Sequence, residues 1–278
     1  MTPLGGLTLD WRPMGPARIT LRRSLPVEAL LLGRPVDQAG PMLARLFNLC
    51  GAAQETGLRL ALGLPAPVDA LRADIIRDHM ARLAVIWPRL LGLAVQPVKP
   101  PAAIDLPAPG QMAAWLTSGQ GFAPLMAAIR AAVPRGDWHL PDPTPAALAC
   151  RAACENTPAG RRADHPLLAG QPRDLFWRAM GRLVDLAKVL AGDLPPARSP
   201  APGLAILPAA RGAYHLRAAQ VAGILTALDR ITPTDHITAP GGLVERALSG
   251  LPDRAAADLA LAILDPCLPV HLTGAVHA

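Results

Sequence analysis

Aromatic side chains make up only 3% of this 278-residue chain, and lysine occurs only at Lys99 and Lys188. With so few rings the core has to be filled by Leu, Ala and Val. A nucleic-acid surface that stacks bases between cations has little to build with. The net charge is nonetheless +6, with a pI near 9.9, and arginines scattered along the chain carry it. Their only doublets are Arg22-Arg23 and Arg161-Arg162, with no basic stripe, so a nucleic-acid partner is not expected. Four cysteines are too few for a disulfide scaffold. The most apolar run, Leu83 to Val95, is broken by Pro88 and Arg89 and is too short for a membrane span. Met1 to Asp10 lacks the basic and apolar regions of a secretory signal. A cytoplasmic protein with reduced thiols and no membrane insertion is expected. Also missing are a Walker loop, a G-x-G-x-x-G after a strand and a G-x-S-x-G turn, so nucleotide chemistry and serine hydrolysis lack support.

What is present is a globular composition: 51% hydrophobic residues and 17% charged. The 32 prolines predict many short elements joined by long connectors. Two stretches, near 96–110 and 193–203, read as extended Pro-rich segments within a single domain spanning 1–278. Ile19 to Arg22 reads as a strand. Helical spacing predicts one helix from after Pro41 to Cys50 and another from Val68 to Leu93, interrupted near Pro88. Further helices are predicted at Met112–Ser118, Pro124–Ala132, Ala146–Glu155, Asp174–Ala191 and Ala255–Leu264. Two strands fall around Gly203–Leu207 and Ala213–Ala218, with a helix possible at Ala219–Leu228. The fold class is helix-dominated α+β.

Chemistry concentrates near the end, in Asp265-Pro266-Cys267-Leu268-Pro269-Val270-His271. Proline ends the preceding helix and sets a thiol in an irregular turn, although a lone cysteine is more often a small buried hydrophobe. Cys150 and Cys154 stand four apart on a predicted helix, which puts both thiols on one side. With no second pair to close a tetrahedral site, packing between Ala-rich helices is the better reading. His79, mid-helix, reads as structural and His271 as solvated.

Read together, these segments resemble the large subunit of nickel–iron hydrogenases. That family pairs a C-terminal Asp-Pro-Cys-x-x-Cys with an N-terminal Arg-x-Cys-Gly-x-Cys. The counterpart here is Asn48-Leu49-Cys50-Gly51-Ala52-Ala53. Glu28 to Asp37 is similar to its Glu-x-x-Leu-x-Gly-Arg segment, and Arg77-Asp78-His79 to its His-Asp-His region. Ala210-Arg211-Gly212-Ala213 is similar to its Pro-Arg-Gly-Ala segment, and Pro233-Thr234-Asp235-His236 to its Pro-Thr-x-Trp-Asn segment. The matches keep the family's order and cover roughly Val27–Leu93 and Leu204–Val270.

The departures shape what the resemblance implies. Cys50 and Cys267 match the terminal nickel ligands, whereas the metal-bridging positions hold Ala53 and Val270, neither of which can donate to a metal. Thr273 stands where the family has its processing-site His, and no cleavable extension is expected. A shortened large subunit of this kind resembles the HupK/HoxV-type accessory proteins of hydrogenase maturation. The resemblance implies a reduced large-subunit-like fold with small N- and C-terminal β elements. It implies a non-catalytic scaffold on which Cys50 and Cys267 transiently hold the Fe(CN)2CO moiety, with Arg211 and Asp235 lining its site. Surface and capping roles stand as alternatives for those two. The implied partners are a HypC-type chaperone, other maturation proteins and the hydrogenase large-subunit precursor. Because Cys50 and Cys267 match nickel positions, iron held there would sit displaced from its place in the enzymes, or a partner's cysteine would complete its shell. A metal-free docking protein is the competing expectation.

Overall fold

A computed structural model describes residues 6–23, 27–47 and 50–274. In chain order the elements are β1 (Gly6–Asp10), β2 (Arg18–Arg23), α1 (Val27–Leu31), α2 (Val36–Leu46), α3 (Gly51–Ala61) and α4 (Val68–Ala81). A π-helical turn at Arg82–Ile86 carries α4 into α5 (Trp87–Leu90) without a break. The middle holds α6 (Met112–Leu116), α7 (Ala123–Ala132), α8 (Pro145–Leu148), α9 (Pro158–Arg161) and α10 (Leu175–Leu190). The last third holds β3 (Arg198–Ala201), β4 (Leu204–Ala209), β5 (Gly212–Val221), β6 (Ile224–Ile231), α11 (Pro233–Ile237), α12 (Leu243–Leu248), α13 (Arg254–Leu264) and β7 (Val270–Thr273).

Of two small sheets among the described residues, one ties the two ends of the chain together and the other is a local meander. In the first, β1 pairs antiparallel with β2 and parallel with β7, Leu7 opposite Val270 and Asp10 opposite Thr273. The predicted Ile19–Arg22 strand is β2, but it reaches the C-terminal strand only through β1, which short apolar alternation at Leu7 and Leu9 did not announce. The strands predicted after Gly203 form a different sheet, the antiparallel meander β3-β4-β5-β6. The helix considered at Ala219–Leu228 is instead a hairpin. Ala222 and Gly223 both have positive φ, 50° and 79°, the geometry a two-residue turn needs to match the twist of its strands.

Other boundaries also move. The helix predicted from Pro41 to Cys50 starts earlier, at Val36, with Pro41 inside it, and ends at Leu46. A separate helix, α3, follows Cys50; Asn48 and Leu49 lie outside the described residues. The helix predicted over Ala146–Glu155 shrinks to α8, capped by Thr144, whose hydroxyl accepts from the Ala147 N–H. It ends before Cys150, so Cys150 and Cys154 share no helix face: Cys150 is exposed and Cys154 buried. In contrast, α10 begins one residue after the predicted start, with Asp174 as an N-cap that accepts from the Trp177 N–H. Its charged residues Arg178, Arg182 and Asp185 are as buried as its apolar ones.

Two apolar clusters meet at the candidate site. The larger surrounds α10 and gathers Trp11, Trp87, Leu183 and Leu264. The smaller packs α1 to α4 on the meander and contains Cys50, Ala53 and Tyr214.

Candidate functional site

Cys50 is placed by a helix start. Its backbone N–H donates to the Phe47 carbonyl (2.9 Å), and it occupies the N-cap position of α3. A side chain on Gly51 would lie 2.7 Å from the Ala44 carbonyl oxygen, so only glycine lets α2 and α3 approach this closely. Cys267 is placed by a helix end. Asp265 closes α13 in the left-handed region (φ 54°), Pro266 blocks continuation, and the Cys267 N–H donates to Thr234 Oγ1 at 2.8 Å. The two thiols, from opposite halves of the chain, lie close enough for each to shift the acidity of the other.

Their acidities diverge. A hydrogen bond from the Cys267 thiol is the main reason that Cys50 is lowered to about 7; burial opposes it, and Tyr214, Arg211 and Gln54 add to it. Gln54 Nε2 donates to Cys50 Sγ across 3.9 Å. The bond to Cys50, together with burial, pushes Cys267 well above the ordinary thiol value. Burial and the neighbouring Cys50 raise the Tyr214 phenol, so it remains a donor. Cys50 is therefore the more acidic thiol of the pair.

Arg211 sits beside them because of the residue that follows it. Gly212 has φ 145°, and a side chain there would lie 2.5 Å from Asn156. Asn156 instead holds the backbone of Ala213 from both sides, accepting from its N–H (2.7 Å) and donating to its carbonyl (2.8 Å). The Arg211 guanidinium is 5% exposed and pairs with Asp265 (2.8 Å) and Asp78 (3.2 Å). Arg182 bridges the same two carboxylates (3.0 and 3.3 Å), and Arg82 joins Asp265 at 2.9 Å. Burial works against ionising Asp78, but Arg211 and Arg182 outweigh it and hold its carboxyl below the usual range. One nitrogen, Arg211 Nη1, is buried without a partner.

A cavity of about 290 Å³ opens onto Cys267 and is lined also by Phe47, Gln54, Tyr214, Arg230, Thr234 and Asp235. Asp235 caps a helix and lines this cavity. Its carboxylate accepts from the N–H and hydroxyl of Thr232 (both 2.7 Å), capping α11, and it also forms part of the cavity wall. Ala53 is buried in α3, and Val270 is partly buried in β7. His79 is structural as read: fully buried, it hydrogen-bonds Asp185 at 2.8 Å. His271 is exposed, and no cluster of three or more His, Cys, Asp or Glu able to hold a metal occurs among the described residues. Tyr214, Gln54 and Arg230 escaped the sequence reading. Tyr214, the chain's one tyrosine, two residues after Gly212, was the available signal; nothing comparable marked the other two.

No family model matches the chain. Its fold is that of nickel–iron hydrogenase large subunits. The reduced Ni-Fe-Se hydrogenase of D. vulgaris Hildenborough is similar with a TM-score of 0.55 and 14% identity, over 91% of this chain and 93% of that one. The enzyme of Desulfomicrobium baculatum is similar with a TM-score of 0.53 and 12% identity, over 92% and 94%. The sequence relationship is more particular. The hydrogenase expression/formation protein HupK of Rhodobacter capsulatus is 48% identical over 270 residues, 91% of this chain and 92% of that protein. The chain belongs to the HupK family of hydrogenase expression/formation proteins.

Proposed function

We propose that this protein serves hydrogenase maturation in the cytoplasm as a non-catalytic scaffold. Its cargo is the Fe(CN)2CO moiety, bound through Cys50 and Cys267 and passed on, with a HypC-type chaperone and the large-subunit precursor as partners. The observation that carries the reading is the meeting of the two thiols beside a cavity that can admit a small complex. The residues suit such a cargo. Low-spin iron with carbonyl and cyanide ligands favours polarisable thiolates, and Cys50 supplies one near neutral pH. Arg211 Nη1 is a buried donor without an acceptor, and a cyanide nitrogen would give it one. Asp235 on the cavity wall would face the cargo from the other side. With Ala53 and Val270 in place of bridging thiolates, two metals would not be held at bonding distance. The grip on one metal is weaker too, which suits cargo that must leave.

The test is complementation. In cells lacking this protein, Cys50→Ala and Cys267→Ala variants should each reduce hydrogenase activity at least as severely as deletion while still accumulating to normal levels. Full activity with both variants would overturn the scaffold reading in favour of a metal-free docking protein.

A further inference from the structure

Arg230 lines the cavity without a salt bridge among the described residues, although Glu28 and Asp235 on the same wall act on its charge from farther away. It leaves the end of β6 and sits over the Phe47 ring, 4.6 Å from its centroid. Nη1 donates to Gln54 Oε1 at 3.1 Å, and the other end of the same amide donates to Cys50. Its Nε is buried and has no hydrogen-bond partner. The other guanidiniums nearby are committed. Arg151, also on the cavity wall, pairs with Asp229 at 2.5 Å. Deeper in the fold, Arg178 faces Glu155 and Arg182 faces Asp78, while Arg211 pairs with Asp265 and keeps only Nη1 unpartnered.

An unpaired cation with an orphaned donor, held in a recess, is costly unless something negative completes it. The shape of the arrangement says where that acceptor belongs. Phe47 packs against the guanidinium, and Gln54 holds its edge and links it to Cys50, so a group bound at Cys50 comes to rest beside Arg230. A bare divalent cation there would give the orphaned Arg230 Nε no acceptor. A metal complex whose outer atoms are anionic acceptors would meet a donor.

We propose that Arg230 is a specificity-determining residue that makes the thiol site select an anionic, acceptor-bearing metal complex over a bare divalent cation. The inference rests on the reading of Cys50 and Cys267 as the cargo site.

The experiment compares two probes by anaerobic equilibrium dialysis of the full-length protein. One is dicyanoaurate(I), a soft anion with cyanide acceptors; the other is cobalt(II), a bare dication. When gold binds, the Cys50 thiolate takes the place of one cyanide, which leaves as the free ion, and the metal stays Au(I) throughout. Arg230→Gln should weaken dicyanoaurate binding by about tenfold or more, the loss expected for a charge-assisted hydrogen bond. Its cobalt(II) binding should stay unchanged or tighten. Arg230→Lys, which keeps the charge but not the fork, should fall between; it carries the test if the Gln variant fails to fold by circular dichroism. Unchanged gold binding in the variants, or an equal loss for both probes, would overturn the role of Arg230. Gold binding that ignores both Cys50→Ala and Cys267→Ala would instead sink the cargo site itself.

Discussion

Cys50 owes its acidity first to Cys267 and only then to Tyr214, Arg211 and Gln54. Removing the main donor should therefore raise it. In wild-type protein the thiolate absorbance should titrate with a midpoint near 7, and in Cys267→Ala the midpoint should move up by about one unit or more. An unmoved midpoint would show that the thiols do not meet. The two cysteines were legible in the sequence because each sits in a short ordered motif. Their donors were not. Gln54 reaches Cys50 from one turn along α3, and Tyr214 reaches it across the sheet. Arg230 lies 180 positions from Cys50, joined to it only through the Gln54 side chain. No local pattern encodes such contacts.

Elements were legible where one local signal dominated. Asp174 announced α10 and the Asp-Pro pair announced the end of α13, whereas the helix expected to be interrupted near Pro88 runs on through it, with Pro88 in the first turn of α5, where no N–H is needed. The sequence misled where a tertiary contact overrode the local rule. Pro41 sits within α2, and the hairpin at Ala222-Gly223 is set by two positive φ values that an Ala-Gly pair signals only weakly. The turn carrying Arg211 is the element on which the site most depends. Gly212→Ala must place a methyl 2.5 Å from Asn156 at a φ of 145°, so a stability loss of about 2–4 kcal/mol is expected. Chemical denaturation checks it; a loss below about 0.5 kcal/mol would show that this turn relaxes freely. At the start of α10, Asp174→Ala should cost about 1 kcal/mol through the lost cap, measured in the same way.

At the scale of the whole molecule, the larger core is organised around charge that it buries. Asp78 and Asp265 hold Arg82, Arg182 and Arg211, and Asp185 holds His79, Arg161 and Arg162. Removing a single carboxylate, as in Asp78→Asn, should destabilise the fold by about 3–5 kcal/mol, because the surrounding guanidiniums stay buried. The pH dependence follows from the same groups. Burial lowers His79, His215 and His236 below their unfolded values, so the unfolded chain takes up more protons and stability falls as pH drops through about 6.5. Asp78 and Asp185 are also lowered, against the effect of burial, by their guanidinium neighbours. Their contribution is present above about 4 and is lost below it. Asp174, raised by burial, runs the other way. The Tm should therefore fall from pH 7 to 5 and again below 4; a Tm that rises on acidification would contradict this network. None of this was visible in α10 as a sequence, because the partners of Arg178, Arg182 and Asp185 lie on other elements. The same long-range assembly brings Cys50 and Cys267 together, and the measurement that tests its purpose most directly is an infrared spectrum of protein purified without oxygen from cells expressing the full maturation set. Metal-bound cyanide and carbonyl bands that vanish in both Cys50→Ala and Cys267→Ala are the predicted result; bands that survive both substitutions, or no bands from protein isolated in complex with its maturation partners, would contradict it.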